Sequence, residues 1–452
     1  MKYKATVITS IFNSELFIEG FLENLLEQED LSSFEVLLLN AQSTDQTENL
    51  ILKHELPPNV IYKKLEKKYS IYETWNIGVE LANAPLLTNW NADDRKKNNA
   101  LKTQGDYMIN NPECDISYGY VAWSYRPNEK YNENTLSDIY PCEAPYEGFL
   151  FNHNSPHNMP FWKKELHDKY GYFDTNWPTA ADFEFWARCC KKNAIFHKIN
   201  EVFGLYYYNP AGLSTHAQSS NMAEGERIRE LYMKKIISFS LWGDDPKYCV
   251  GAIKNAELRE IYYPDWITRF YVHQDVPPVY IEKLKGFKNT EVIIETRKAD
   301  WTGMFWRLEA ISDPDVGVML SRDADSRFSK REVAAVEDFL KSDAKLHIMR
   351  DHPCHQFFVM PGMFGVKKGI LDNMVDLCAN FSQSDKYGTD YEFFNHLRSA
   401  IPPELIMAHD PFFEKKDFPT KREGLEYIGE IFDENDDIVK EHQEALKNHL
   451  IK

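Results

Sequence analysis

Short apolar runs alternate with segments of helical spacing along the first half of this chain. ATVITSIF (5–12) is a β-branched run of the kind that fits a buried strand. SELFIEGFLENLLEQ (14–28) then repeats apolar residues at helical intervals, with Leu16, Phe17, Phe21, Leu22, Leu25 and Leu26 on one face and Asn13 or Ser14 as the cap. FEVLLLN (34–40) predicts a second strand, which runs into the polar turn AQSTDQT (41–47). TENLILKHEL predicts a helix stopped by Pro57 and Pro58. VIYKKLE (60–66), YETWNIGVELANA (72–84) and PLLTNWN (85–91) continue as strand, helix and strand. Such alternation predicts an α/β fold, a mostly parallel sheet with helices on both faces. Ligands of such sheets bind at the carboxyl ends of the strands, where the turns at 40–47 and 91–95 would sit.

The second half follows the same grammar. IISFSLW (236–242), RFYVHQ (269–274), TEVIIET (290–296), VGVMLS (316–321) and KLHIMR (345–350) read as strands. KREVAAVEDFLKS (330–342) reads as a helix with Val333, Val336, Phe339 and Leu340 on one side. The polar stretch near 216–236 reads as a linker. Two domains result, 1–230 and 236–452, without a residue-level repeat between them. A chain of 452 residues with 43% hydrophobic content is large enough for two cores.

Net charge narrows the function. At −18 the chain lacks the basic surface of a nucleic-acid binder, and it has no strong claim on anionic lipid. The run FDENDD (432–437) reads as a solvated surface segment. Seven cysteines without a C-x-x-C pair suit free thiols in a reducing compartment. The start MKYKATVITSIF reads as a first strand and not a signal peptide, and no apolar run is long enough to span a bilayer. A cytoplasmic protein is expected, one that could dock at the inner face of a membrane whose lipids carry its acceptor.

Two acidic motifs carry the candidate chemistry, LLTNWNADDR (86–95) and VGVMLSRDADSR (316–327). Each is an apolar run ending in an Asp-rich turn. Carboxylates at a strand end can hold a divalent cation against a diphosphate; an Asp-rich turn is also common for purely structural reasons.

Six segments in order give residues 1–220 a family resemblance: TSIFN (9–13), LLLNAQSTDQT (37–47), YSIYETWNIGVELA (69–82), NWNADDR (89–95), MPFWKKELHDKYGYFD (159–174) and TAADFEFWARC (179–189). They resemble the family-two glycosyltransferases, inverting enzymes of the GT-A fold. The resemblance implies Asp93 and Asp94 as metal ligands for Mn²⁺ or Mg²⁺, and Asp182 as the base that deprotonates the acceptor hydroxyl. It implies donor contacts from Thr9, Asn13, Asn40, Ser43, Asn76, Asn91 and Arg95. Asn91 and Asn40 stand where the family commonly has acids, so uracil recognition and tight metal binding are in question. Trp177 and Trp186 are candidate acceptor platforms or packing residues, and His216 is a candidate third ligand or a surface histidine.

The second half resembles a less familiar group of GT-A-like bacterial sugar-transferase domains through SLWGDDPKYCVGAIKNAEL (240–258), YYPDWITRFYV (262–272), SRDADSRFSKRE (321–332), HIMRDHPCH (347–355), MPGMFG (360–365) and YGTDYEFF (387–394). Here the D-x-D is complete. Asp323 and Asp325 project to one side if the backbone is extended, and Arg322, Arg327 and Arg350 suit phosphate. His409 is the expected metal-binding histidine. Asp390 is either a second acceptor base or a helix-start residue. A zinc site from His347, His352 and His355 fits no standard spacing.

The expectation is therefore two tandem GT-A-like domains, each with a nucleotide-sugar site and one divalent metal, with UDP-sugars favoured. Together they would extend a surface glycan such as capsule, O-antigen or lipooligosaccharide on a glycan or lipid-linked acceptor. A single catalytic domain beside a glycan-binding or scaffolding one is an alternative. A nucleotidyltransferase is another, disfavoured because no Gly-rich basic loop lies near residues 8–20.

Overall fold

The computed structural model describes residues 2–142, 156–157, 159–382 and 384–450. It divides into two compact units, Met1–Tyr232 and Met233–Lys452. The first unit runs β1 (Ala5–Ile11), α1 (Ile18–Leu26), β2 (Phe34–Asn40), α2 (Thr47–Leu52), β3 (Val60–Lys64), α3 (Ile71–Leu81), β4 (Leu86–Asn89), β5 (Arg95–Lys96), α4 (Ala100–Asn110), β6 (Ile116–Ser124), β7 (Phe161–Lys163), α5 (Glu165–Tyr170), α6 (Ala181–Lys191), β8 (Phe196–Tyr207) and α7 (Asn221–Tyr232). Among the described residues the sheet order is β3-β2-β1-β4-β7-β6-β8-β5. β3, β2, β1 and β4 are parallel, and β7 is antiparallel to both β4 and β6. β1 and β2 are buried on both faces, which is why they read as unbroken apolar runs.

Local chemistry moved some boundaries. α1 starts at Ile18, after a turn in which Ser14 N donates to Thr47 Oγ1 (2.7 Å) and Glu15 N to Asp45 Oδ2 (3.1 Å). α3 begins with a reciprocal capping box between Ser70 and Glu73. The polar stretch expected to be a linker is α7. Ile228 is buried in the first core, and Glu224 accepts from Thr179 N (2.9 Å) at the start of the α6 region.

The second unit runs β9 (Lys234–Leu241), α8 (Pro246–Tyr262), β10 (Ile267–His273), α9 (Pro278–Lys285), β11 (Thr290–Glu295), a 3₁₀ segment (Trp301–Ser312), β12 (Val316–Arg322), α10 (Lys330–Lys341), β13 (Leu346–Met349), β14 (Met363–Lys367), α11 (Met374–Asn380), α12 (Thr389–Leu397), β15 (Ile406–His409) and α13 (Lys440–Leu450). Its sheet order is β11-β10-β9-β12-β14-β13-β15, with β14 the antiparallel strand. Leaving aside the two-residue β5, the units share one order and one pattern of strand directions: 3-2-1-4-6-5-7, with the sixth reversed. The molecule is thus mixed α/β with two mostly parallel sheets. The likeness of the two units lies in topology, which tolerates different side chains wherever the apolar pattern is kept.

The acidic run 432–437 lies at the surface, with Glu434 to Asp437 exposed, and is anchored to the turn after β12. Phe432 N donates to Asp325 O (2.9 Å), Ile431 bridges Ser326, and Asp436 Oδ1 accepts from Arg327 Nε (2.9 Å). All seven cysteines are free thiols. Among the described residues no helix is long and apolar enough to cross a membrane.

Candidate functional site

In the first unit the turn after β4 carries Asn91, Asp93 and Asp94. Asp93 is held by a long bond from Asn209 Nδ2 (3.3 Å), and burial raises its pKa above the usual carboxylate value. That is the condition of a desolvated carboxylate with acceptor capacity to spare, and it suits a hard cation that takes one or two protein carboxylates plus diphosphate oxygens. Asp94 Oδ1 accepts from Tyr207 N (3.1 Å) and its Oδ2 from Asn91 Nδ2 (3.2 Å). It pins the Asp-rich turn to β8.

Asp182 stands in the first turn of α6. Tyr72 on α3 donates its hydroxyl to Asp182 Oδ1 (2.8 Å). Burial, then the Asp182 charge, lifts the Tyr72 pKa well above normal, so the phenol remains a donor. Tyr206 at the end of β8 is within electrostatic reach of both Asp94 and Asp182. The Asp-rich turn and the candidate base therefore face the same β8 terminus.

Asn13, Asn40 and Ser43 converge where β1 and β2 end. Asn13 N donates to Ser43 Oγ (3.0 Å), Ser43 N to Asn40 Oδ1 (2.8 Å), and Asn40 Nδ2 to the Tyr62 hydroxyl (2.9 Å). Thr9 lies fully buried inside β1. Asn76 is diverted from donor contact, because its amide clamps the backbone of Phe173 in both directions (2.9 and 3.1 Å). Arg95 is also diverted: its buried guanidinium binds the carbonyls of Ala92 (3.0 Å), Asp94 (2.7 Å) and Phe17 (3.2 Å), and Asn128. Trp186 is core, and Trp177 lies under Arg227. His216 Nδ1 accepts from Gln218 N (3.1 Å), a local turn contact.

The second unit repeats this arrangement with more charge. Asp323 and Asp325 follow β12, the strand equivalent to β4. Asp390 is the second residue of α12, as Asp182 is of α6, and both helices precede the last strand of their sheet. Arg307, from the 3₁₀ segment, is buried and pairs with both Asp323 and Asp390, the latter at 3.3 Å. Lys247 pairs with Asp325 at 2.6 Å. Burial raises Asp325 above its usual range, and the Asp323 charge adds to the rise. Asp390 is raised by burial, opposed by Arg307. Gly362 is pressed against Asp323 so closely that a Cβ there would overlap the carboxylate.

The expected arginines of this unit point elsewhere. Arg322 is paired with Glu332 (2.8 Å) inside the core, beside Tyr263, whose hydroxyl also donates to Glu332 (3.0 Å). Arg327 holds Asp436, and Arg350 holds Asp410 (2.9 Å) and Glu414. Each has its charge neutralised by a carboxylate of this chain, which leaves little for a phosphate. His409 is not placed with Asp323 and Asp325. It sits on β15, three strands from β12, or about 14 Å at normal strand spacing, and its ring faces His347 (2.8 Å) and Asp338 (3.3 Å). His352 faces the His442 carbonyl (2.9 Å) and packs beside His355 at 5.4 Å, while His347 is on β13 against His409, so the three histidines of 347–355 do not share one site. Among the described residues no group of three His, Cys, Asp or Glu side chains is set to hold a metal. A cation would rest on Asp93 in the first unit, or on Asp323 and Asp325 in the second, with substrate oxygens completing its shell.

Sequence reasoning missed Tyr72, Asn209, Lys247 and Arg307. Arg307 had a readable signal, a lone guanidinium within the apolar stretch WTGMFWRLEAI. The others had none.

Residues 6–173 match the family model described as glycosyl transferase family 2. A glycosyltransferase of Methanocaldococcus jannaschii is 24% identical over 207 residues, 44% of this chain and 69% of the relative. A PGL/p-HBAD biosynthesis glycosyltransferase of Mycobacterium tuberculosis is 23% identical over 215 residues, 46% of this chain and 78% of the relative. Among solved structures, S. aureus TarS with UDP aligns at a TM-score of 0.39 and 16% identity over 51% of this chain. The mannosyltransferase PcManGT of Pyrobaculum calidifontis, with GDP-Man and Mn²⁺, aligns at 0.38 and 16% over the same share. This chain spans just under two thirds of each of those structures, 65% and 64%.

Proposed function

The N-terminal unit carries a glycosyltransferase family 2 domain, and from that premise we propose that the chain is a two-site transferase. Each unit would move a sugar from a nucleotide-sugar donor to a growing glycan. One observation supports this above the others: Asp93 with Asp182, and Asp323 and Asp325 with Asp390, occupy equivalent places in two sheets that share one strand order once the two-residue β5 is set aside. UDP-sugars are the favoured donors. The acceptor would be a surface glycan or its lipid-linked precursor, met at the cytoplasmic face of a membrane.

In the first unit Asp182, oriented by Tyr72, would take the proton of the acceptor hydroxyl as its oxygen attacks the anomeric carbon. The nucleoside diphosphate departs from the opposite face, which inverts the configuration. A bound Mn²⁺ or Mg²⁺ would offset the charge of that leaving group. Asn13, Asn40 and Ser43 line the strand ends where the nucleoside would lie. In the second unit Asp390 would be the base, and Arg307 would fix its position relative to Asp323.

A second reading has its own support. Asp323 and Asp325 are already paired with protein cations, which suits a unit that binds glycan without catalysis. A hydrolysis and binding screen separates the two, with Mn²⁺ and a panel of UDP-, GDP-, CMP- and dTDP-sugars tested against wild type, Asp93→Ala and Asp325→Ala. Two donors, each lost with a different variant, are expected. A single donor indifferent to Asp325→Ala would leave the second unit a binding domain.

A further inference from the structure

Four aromatic rings from three separate segments meet beside Asp390. Trp301 opens the 3₁₀ segment that carries Arg307. Tyr387 and Tyr391 flank the start of α12, and Phe357 comes from the loop between β13 and β14. Trp301 packs edge-on against Tyr387 at 5.4 Å, Tyr387 lies 6.4 Å from Tyr391, and Phe357 stacks on Tyr391 at 4.3 Å. Trp301, Phe357 and Tyr387 are 40, 43 and 70% exposed. Single exposed rings are ordinary on a protein surface, but a contiguous row from three segments keeps apolar area in water that burial would otherwise have removed.

The chemistry around the row is polar. Asp385 accepts from Trp301 N (3.3 Å) and pairs with Lys298 (3.3 Å), while Lys386 pairs with Glu392 (2.7 Å). Alternating ring faces and charged hydrogen-bonding groups match a ligand with apolar C–H faces and hydroxyl edges. Within the row Tyr391 N donates to Asp390 Oδ1 (3.1 Å), and Arg307 joins Asp390 to Asp323.

We propose that Trp301, Phe357, Tyr387 and Tyr391 form a platform for the pyranose rings of a saccharide acceptor, running outward from Asp390. This rests on the second unit's being a transfer site and names the class of its acceptor. Sugars away from the reacting hydroxyl would stack on Trp301 and Tyr387, which holds that hydroxyl at the Asp390 carboxylate.

The test is saturation-transfer NMR on the full chain with cellobiose, lactose and N,N′-diacetylchitobiose as probes. It compares wild type with Trp301→Ala, Tyr387→Ala and Asp325→Ala, and thermal melting confirms the fold of each. Losing one stacking ring should weaken saccharide binding about 5–10-fold. At least one probe should bind wild type and weaken in both ring variants. Unchanged binding in both ring variants, or no binding of any probe to wild type, would overturn the platform. If binding falls with the rings while no donor turnover depends on Asp325, the platform stands as a glycan-binding surface and the second-transfer reading fails.

Discussion

Removing the Arg307 guanidinium is the sharpest perturbation of the second unit. Arg307→Met keeps most of the apolar stem and deletes the charge between Asp323 and Asp390. Asp390 and Arg307 are almost fully buried and lie 3.3 Å apart, which gives a Coulomb attraction of about 5 kcal/mol at an effective dielectric near 20. Breaking a buried pair by removing one partner costs about 3–5 kcal/mol in practice. The Asp323 side chain is 47% exposed, so solvent screens its share and it adds little. The expected loss is therefore about 3–5 kcal/mol, confined to the second unit. Native-state hydrogen exchange reads it directly: amides of β12 should lose protection while those of β1 keep theirs. The pH dependence has a definite sign. Burial already holds the Asp390 pKa above its ordinary 3.8, and Arg307 opposes that rise. Without Arg307 it climbs further, so the folded state keeps a proton that the unfolded chain releases. Stability is then greatest below the unfolded pKa and falls as pH rises through the folded one. If Asp390 acts as a base, the acid limb of the second transfer moves to higher pH. A loss under about 1 kcal/mol, equal loss of protection in both units, or an unmoved limb would refute the assignment of Arg307 as the charge that governs Asp390.

Three further outcomes follow from the geometry. Asp182→Asn should lower the first transfer by at least about 10²-fold with melting unchanged, whereas Tyr72→Phe should lower it less and shift its pH profile; full activity in Asp182→Asn would remove it as the base. Gly362→Ala should abolish the second transfer and spare the first, because a Cβ there displaces the Asp323 carboxylate, and an active Gly362→Ala enzyme would show that Asp323 is free to move. Asp436→Ala should release the 431–438 segment from Arg327 and weaken the second transfer, with Asp436→Glu partly restoring it; equal turnover in all three forms would leave that contact without a part in activity.

The apolar pattern alone determined the alternation of strand and helix, since a parallel strand covered on both faces has to be apolar throughout and an amphipathic helix has to repeat near every fourth residue. It also located the two acid turns, because an apolar strand that stops at closely spaced aspartates leaves them at its carboxyl end, where the chain turns out of the sheet. What it could not assign was the partner of each charge. Arg95, Arg322, Arg327 and Arg350 look alike in sequence as phosphate ligands. Each is instead tied to a carbonyl, carboxylate or amide of this chain, whereas Arg307 joins Asp323 to Asp390. His409 reads as a ligand by position, yet strand order carries it to the far side of the sheet from Asp323. The identity of the two strand orders was equally hidden, because the order of strands is set by which faces pack across long loops, and local periodicity is blind to that. The sequence by itself determined which residues could carry charge at strand ends; tertiary pairing decided which of those charges remain available, because a buried charge must be neutralised by whatever the fold brings within reach.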